Sequence, residues 1–329
     1  MFRKTLIFLG VLMLTAVMIT ACMPAGDEQA GETTVPAEEA AQPPDIPEDL
    51  ERGDDGVPML DVYVMERQAV ERMDLETYLM GVVAGEMKND WPIEALKAQA
   101  ILARTYTLNF LDTKESKHGG ADISTDVEEA QAYNADSINE RIEQAVNETR
   151  GVVMSYDGEL PMAWFHAHAG GVTELPTVAL EYKENPPYLS VVSSPDSEQA
   201  PDDVKNWTAR FSAATVGKAC ADSGAKTGDA ETVEVGKKGE SGRAETLVVN
   251  GQEVSAPSFR VHIGATELKS TLIESIEVND GEVIFTGRGF GHGVGMSQWG
   301  AYGLAENGAT AQSIISAYFK DVDFVGLWE

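Results

Sequence analysis

Every second residue from Gly287 to Gly295 is glycine, with Arg288, Phe290, His292 and Val294 between them. In an extended chain this alternation strips one face of side chains and projects the other four residues from the opposite face. Glycine loses more backbone freedom on ordering than any other residue. Such a run folds where a ligand or another strand must come close to bare backbone. The spacing fits neither a phosphate-binding nor a dinucleotide-binding loop. The expectation is an extended segment with one open backbone face, leading into Met296-Ser297-Gln298-Trp299-Gly300-Ala301.

Three other segments carry chemistry. Residues 93–111 are apolar nearly all round, which predicts a buried central helix opened by Asp90-Trp91-Pro92. Lys97 and Arg104 lie seven apart on one of its faces, and bases held in such a helix need a partner or a cleft. Arg104 can stand beside Glu86, bind substrate oxygens, or close a structural salt bridge. Glu86 follows the apolar stretch Gly81-Val82-Val83-Ala84-Gly85, and burial there would raise its carboxyl pKa, as a general acid near neutrality requires. A solvated turn glutamate is the other reading. His166 and His168, at i and i+2 on a strand, point to one face and suit a metal, but need a third ligand from elsewhere. Lining of a polar pocket is the alternative.

The order of elements predicts an α+β class, as a single mixed domain with a central buried helix, several short antiparallel strands and two C-terminal helices. A strand is expected at 59–65, and then a helix from Leu75 to about Val83, capped by Asp74 and closed by Gly85. Ser137 is expected to cap a helix reaching about Asn147. A hairpin is expected next, with strands 151–156 and 161–167 about a turn at Asp157-Gly158. Helical spacing covers 211–221. Short strands are expected at 233–235, 244–249, 259–263, 273–278 and 282–286, with turns at Asn250-Gly251 and Asp280-Gly281. The last two helices span 297–306 and 310–319.

The N-terminus bears on location. Arg3 and Lys4 precede an apolar run that ends in Ile19-Thr20-Ala21-Cys22. A positive start, an apolar core and a small residue before a cleavage point make a secretory signal. The last four residues resemble the bacterial lipobox, which implies lipidation of Cys22, removal of 1–22 as a signal peptide, and anchoring on the extracytoplasmic face of the cell membrane. An uncleaved helix is the competing reading, since the apolar run is at the lower limit for spanning a bilayer. Residues 23–56 are rich in Pro, Ala and acids, with Arg52 the only base, and read as a disordered tether before a folded region at 57–329. With Cys22 acylated, Cys220 has no partner for a disulfide. The net charge of −30 argues against nucleic acid as a partner. It also means that attraction to an anionic polymer must come from local bases.

Taken together, four segments resemble the stage II sporulation protein D/LytB family. They are 81–87 around Glu86, 95–106 around Arg104, Phe165 to Glu174, and Gly287 to Gly303, and they stand in family order across nearly all of the folded region. The resemblance implies a peptidoglycan lytic transglycosylase cutting glycan strands freed of stem peptides, with Glu86 catalytic. It implies groove contacts from Arg104, His292 and Gln298, to which Lys97, Arg288, Ser297 and Tyr302 in the same motifs are added as substrate-binding candidates. Other members are amidase enhancers, so an N-acetylmuramoyl-L-alanine amidase is an expected partner, and a non-catalytic amidase activator is the alternative function. No cofactor is expected. Some members bind zinc near the His166 segment through a Cys ligand absent here, and His166 and His168 are the residues a zinc ion would use.

Overall fold

The computed structural model describes residues 42–47 and 50–329, so the signal segment, Cys22 and most of the tether lie outside the described residues. Ordered chain begins before the boundary expected at 57. Met59 N–H donates to the Glu51 carbonyl at 2.7 Å, and Ile46 and Leu50 pack on the main core. Strand β1 (Met59–Val64) turns Leu60, Val62 and Val64 inward. It pairs antiparallel with β2 (Ala69–Asp74). Nothing in the sequence reading marked β2, because as an outer strand with little burial it has no apolar alternation to show.

Helix α1 (Leu75–Glu86) starts as expected, with Asp74 Oδ1 accepting from Thr77 N–H at 2.9 Å. Its far end differs. The helix continues through Gly85, where a Cβ would lie 2.8 Å from the Ala132 carbonyl oxygen. Gly85 is thus required by a loop lying against it and does not stop the helix. Helix α2 (Ile93–Thr113) is buried along most of its length, from Ala95 to Phe110. A short strand β3 (Ile123–Ser124) runs parallel beside β1. Helix α3 (Glu140–Glu148) is capped by Asn139, two residues later than expected; its Oδ1 accepts from Arg141 and Ile142 N–H.

The predicted hairpin forms only at its tip. Asp157 and Gly158 turn the chain with φ of 50° and 81°. Yet β4 (Val152–Ser155) pairs with a C-terminal strand, and β5 (Phe165–His166) pairs parallel with residues 296–297. Pro161, just past the turn, has no N–H to donate to a ladder. A single helical turn, α4 (Pro176–Ala179), follows.

Residues 202–288 build around a second apolar core centred on Trp207, Leu247, Phe259 and Phe285. Here α5 (Asp202–Lys205) leads into β6 (Asn206–Ser212), and Ser212 then caps α6 (Ala213–Asp222), so that the helix expected from 211 is shortened by a strand. Strands β7 (Val233–Val235), β8 (Thr246–Val249) and β9 (Gln252–Ser255) form an antiparallel sheet. The strand expected at 259–263 is instead helix α7 (Ala256–Gly264). Ser255 caps it and Pro257 occupies its first turn, while Phe259 and Ile263, four apart, face the core and Val261 is exposed. Those alternating apolar residues fit either period. Strands β10 (Ile273–Asn279) and β11 (Glu282–Arg288) complete an antiparallel sheet in the order β10-β11-β6.

The chain then returns to the first core through β12 (Met296–Ser297), α8 (Gln298–Glu306), α9 (Ala311–Ser316) and β13 (Asp323–Gly326), the last pairing with β4. Nine helices and thirteen strands in small sheets among the described residues make the fold α+β.

The alternating glycines do not form the expected flat strand. Past β11, Gly289, Gly291, Gly293 and Gly295 all have positive φ, between 70° and 104°. Every second residue is therefore left-handed, which L side chains rarely adopt. Their bare side faces protein. A Cβ on Gly289 would stand 2.8 Å from the His168 carbonyl oxygen, and one on Gly291 2.8 Å from the His166 Cβ. One on Gly295 would collide with the Trp164 carbonyl. The glycines let this segment lie against residues 164–170, so that of the two expected occupants of the bare face, a ligand or another stretch of chain, the chain is the one present.

Candidate active site

The last residue of α1 places Glu86 in a cleft of about 590 Å³. The carboxylate accepts from Ala132 N–H at 2.7 Å through Oε1, and from Gln298 Nε2 at 3.1 Å through Oε2. Burial raises its pKa above the usual carboxyl range, and these two hydrogen bonds offset only part of that effect. Its place at the carbonyl end of α1 also disfavours the anion. No other carboxyl lines the cleft among the described residues.

Gln298, the first residue of α8, spans from Glu86 to Gln99 Oε1 on α2, 3.4 Å away. His292 and His166 line the same cleft, their ring centroids 5.6 Å apart. Val294 fixes both rings. Its N–H donates to His292 Nδ1 at 3.0 Å, and His166 Nδ1 lies 3.0 Å from its carbonyl oxygen. Burial first, and then the Arg260 and Arg243 charges, push the His292 pKa down to about 3. Burial likewise lowers that of His166, with His292 and Arg243 adding to it. Both imidazoles are neutral at physiological pH.

Other residues named from sequence lie elsewhere. Arg104 is fully buried, its Nε and Nη2 bonded to the Glu76 carboxylate at 3.0 and 2.6 Å. Of the three roles open to it the structural ion pair is the one present, and a bound sugar has no route to the guanidinium. Lys97 pairs with Glu94 at 2.8 Å and Glu148 at 2.5 Å, outside the cleft. Ser297 is buried; its Oγ donates to Asp196 at 2.6 Å and accepts from Gly300 N–H, capping α8. Tyr302 packs on Trp91 and Trp299 and donates to Gln199, also away from Glu86. Arg288 is exposed and pairs with Glu274 at 2.7 Å.

His166 and His168 do not work together: His166 lines the Glu86 cleft, and His168 lines a separate pocket with Asp196 and Arg288. Among the described residues no three His, Cys, Asp or Glu side chains gather as metal ligands. The sequence reading missed the aromatic lining of the cleft, made by Tyr106, Trp164, Phe165, Tyr182 and Phe290, and the lone cation Lys114. The adjacent pair Trp164-Phe165 next to His166 was the signal available for it.

Known proteins resemble this chain over most of its length. A profile described as Stage II sporulation protein matches residues 63–156, the stretch that carries Glu86. A domain of unknown function matches 174–295. Stage II sporulation protein D of Bacillus amyloliquefaciens is 30% identical over 80% of this chain and 77% of its own length. The chain belongs to the stage II sporulation protein D family. An uncharacterised protein of Brachyspira hyodysenteriae is 32% identical, covering 78% of this chain and 68% of that protein. The amidase enhancer of Bacillus subtilis is 29% identical over 73% of this chain but only 39% of its own length. Glu86 falls within the first of the two matched profiles and His292 within the second.

Proposed function

We propose that this chain is a peptidoglycan lytic transglycosylase acting on glycan strands freed of stem peptides, with Glu86 as its single proton shuttle. The observation that carries this reading is the lone carboxyl of raised pKa in an aromatic-lined cleft. A glycoside hydrolase generally needs a second carboxylate to activate water or attack the sugar. A lyase does not. Protonated Glu86 gives its proton to the glycosidic oxygen as the C1–O bond breaks. The C6 hydroxyl of the same sugar then bonds to C1 and returns its proton to Glu86, closing a 1,6-anhydro ring without consuming water. Aromatic faces suit the apolar faces of sugar rings. The test is incubation of purified protein with denuded glycan; 1,6-anhydro ends are the expected product, and reducing ends or intact strands would refute the reading.

The similarity to an amidase enhancer supports a second reading, a wall-bound activator of an N-acetylmuramoyl-L-alanine amidase. Stimulation of such an amidase by a Glu86→Gln variant would favour it. A role in sporulation or septal wall remodelling, and anchoring through a lipidated Cys22, complete the proposal. A Cys22→Ser change that leaves the protein in the membrane fraction would remove the anchor from it.

A further inference from the structure

A chain with 54 acidic and 24 basic residues can attract an anionic polymer only through bases that its own carboxylates leave free. Lys97, Arg104 and Arg288 are not such bases, since each pairs with a glutamate. Lys114 is. It lines the Glu86 cleft, it is exposed, and no ion pair among the described residues involves it. It follows the last residue of α2, where its N–H donates to the Phe110 carbonyl at 2.9 Å. Phe110 stands one helical turn earlier, so Nζ rests over its ring, 5.5 Å from the centroid. An aromatic face steadies an ammonium without cancelling its charge. The rest of the lining adds no second charge. Glu86 is neutral while it is poised to donate a proton, His166 and His292 are neutral, and the remaining side chains are uncharged. In a protein of net charge −30, this cleft therefore offers its occupant one positive charge and no negative one.

We infer that Lys114 is a specificity-determining residue that reads the free lactyl carboxylate of an N-acetylmuramoyl sugar in the cleft. This rests on the glycan-cleaving reading above. A stem peptide is joined to the lactyl group through an amide, which carries no charge. Hydrolysis of that amide frees the lactyl group as an anion, so peptide removal leaves a carboxylate on each muramoyl sugar. The carboxylates of an intact stem peptide lie farther out, away from the sugar ring. N-acetylglucosamine has no such group at all. A lone ammonium in the cleft therefore favours the strand whose peptides are gone, by charge as well as by size.

The test compares denuded strands with the same strands after their lactyl carboxylates are converted to neutral methylamides. Binding is measured in a Glu86→Gln background, where strands are not cut and the amide stands in for the protonated carboxyl. Glu86→Gln is expected to bind the carboxylate strands about 5-fold more tightly, the scale of one solvent-screened ion pair. Adding Lys114→Ala should abolish that preference by weakening the carboxylate strands alone, and Lys114→Arg in its place should restore it. The preference should also shrink as salt is raised. With Glu86 intact, Lys114→Ala should raise KM for denuded strands by the same factor. Lys114 is exposed, so its replacement leaves folding intact. A preference that survives Lys114→Ala reflects the size of the methylamide rather than its charge and overturns the inference. An equal loss on both kinds of strand overturns it as well. So does equal binding of both by Glu86→Gln, and 1,6-anhydro ends released by the wild type would then leave the proposed function standing. Wild type that neither binds nor cuts strands defeats the proposed function and this inference with it.

Discussion

Helix α1 carries a carboxylate at each end, and the two could hardly be treated more differently. Glu76, in the first turn, is 2% exposed and receives four donors: two from Arg104, Gly151 N–H at 3.1 Å and the Trp328 indole at 2.9 Å. It stands at the positive end of the helix dipole, beside a full positive charge. Glu86, ten residues on, sits at the negative end and meets only two neutral donors. The first carboxylate ties α1, α2, the residue just before β4 and the C-terminal Trp328 together. The second is left short of compensation. Burial alone does not make a carboxyl reactive; what matters is whether the surroundings complete the charge, and only at Glu86 do they decline to.

Breaking the completed end should have the largest effect. Arg104→Ala strands a buried anion, and removal of one partner of a buried pair costs about 3–5 kcal/mol. The expected outcome is a large drop in melting temperature or failure to fold, seen by circular dichroism. Survival with normal stability would return Arg104 to the substrate-binding candidates. Next in size is Glu86→Gln, which keeps shape and hydrogen bonding but cannot move a proton. Turnover of denuded glycan should fall by about 10²-fold or more, with the fold intact. Full activity would move the chemistry elsewhere.

Much of this contrast was legible in sequence. The apolar preamble to Glu86, the buried helix at 93–111 and the capping Asp74 depend on local pattern and were read correctly. What was not legible depends on partners distant in the chain. Arg104 shows no sequence sign that Glu76, 28 residues earlier, completes it. The β4–β13 pairing joins residues some 170 apart, and a local turn signal wrongly suggested a hairpin. The glycine segment shows the same limit. Alternation announced a bare backbone face, but not whether sugar or protein would cover it. Gly291→Val tests the answer: with φ of 104° and His166 Cβ in its path, the change should cost stability of about 1–3 kcal/mol. A variant with unaltered melting temperature and lost glycan binding would restore the open-groove reading.

The smallest effect is also the most diagnostic of the difference between the two ends of α1. A carboxyl whose folded pKa is raised folds without penalty in acid, where it is neutral in both states. It then loses stability as pH rises from the unfolded value through the folded one, because the native state resists the charge. Glutamine has no such titration. The melting temperature of Glu86→Gln should match wild type at low pH and exceed it increasingly as pH climbs through the raised pKa. Catalytic rate in the wild type should fall over that same interval, since the glycosidic oxygen then lacks its proton donor. Removing the Gln298 donor takes away a hydrogen bond that favours the anion, so Gln298→Ala should move both curves to higher pH. A Glu86→Gln variant no more stable than wild type at any pH would mean that the surroundings of Glu86 compensate its charge as fully as Arg104 does that of Glu76.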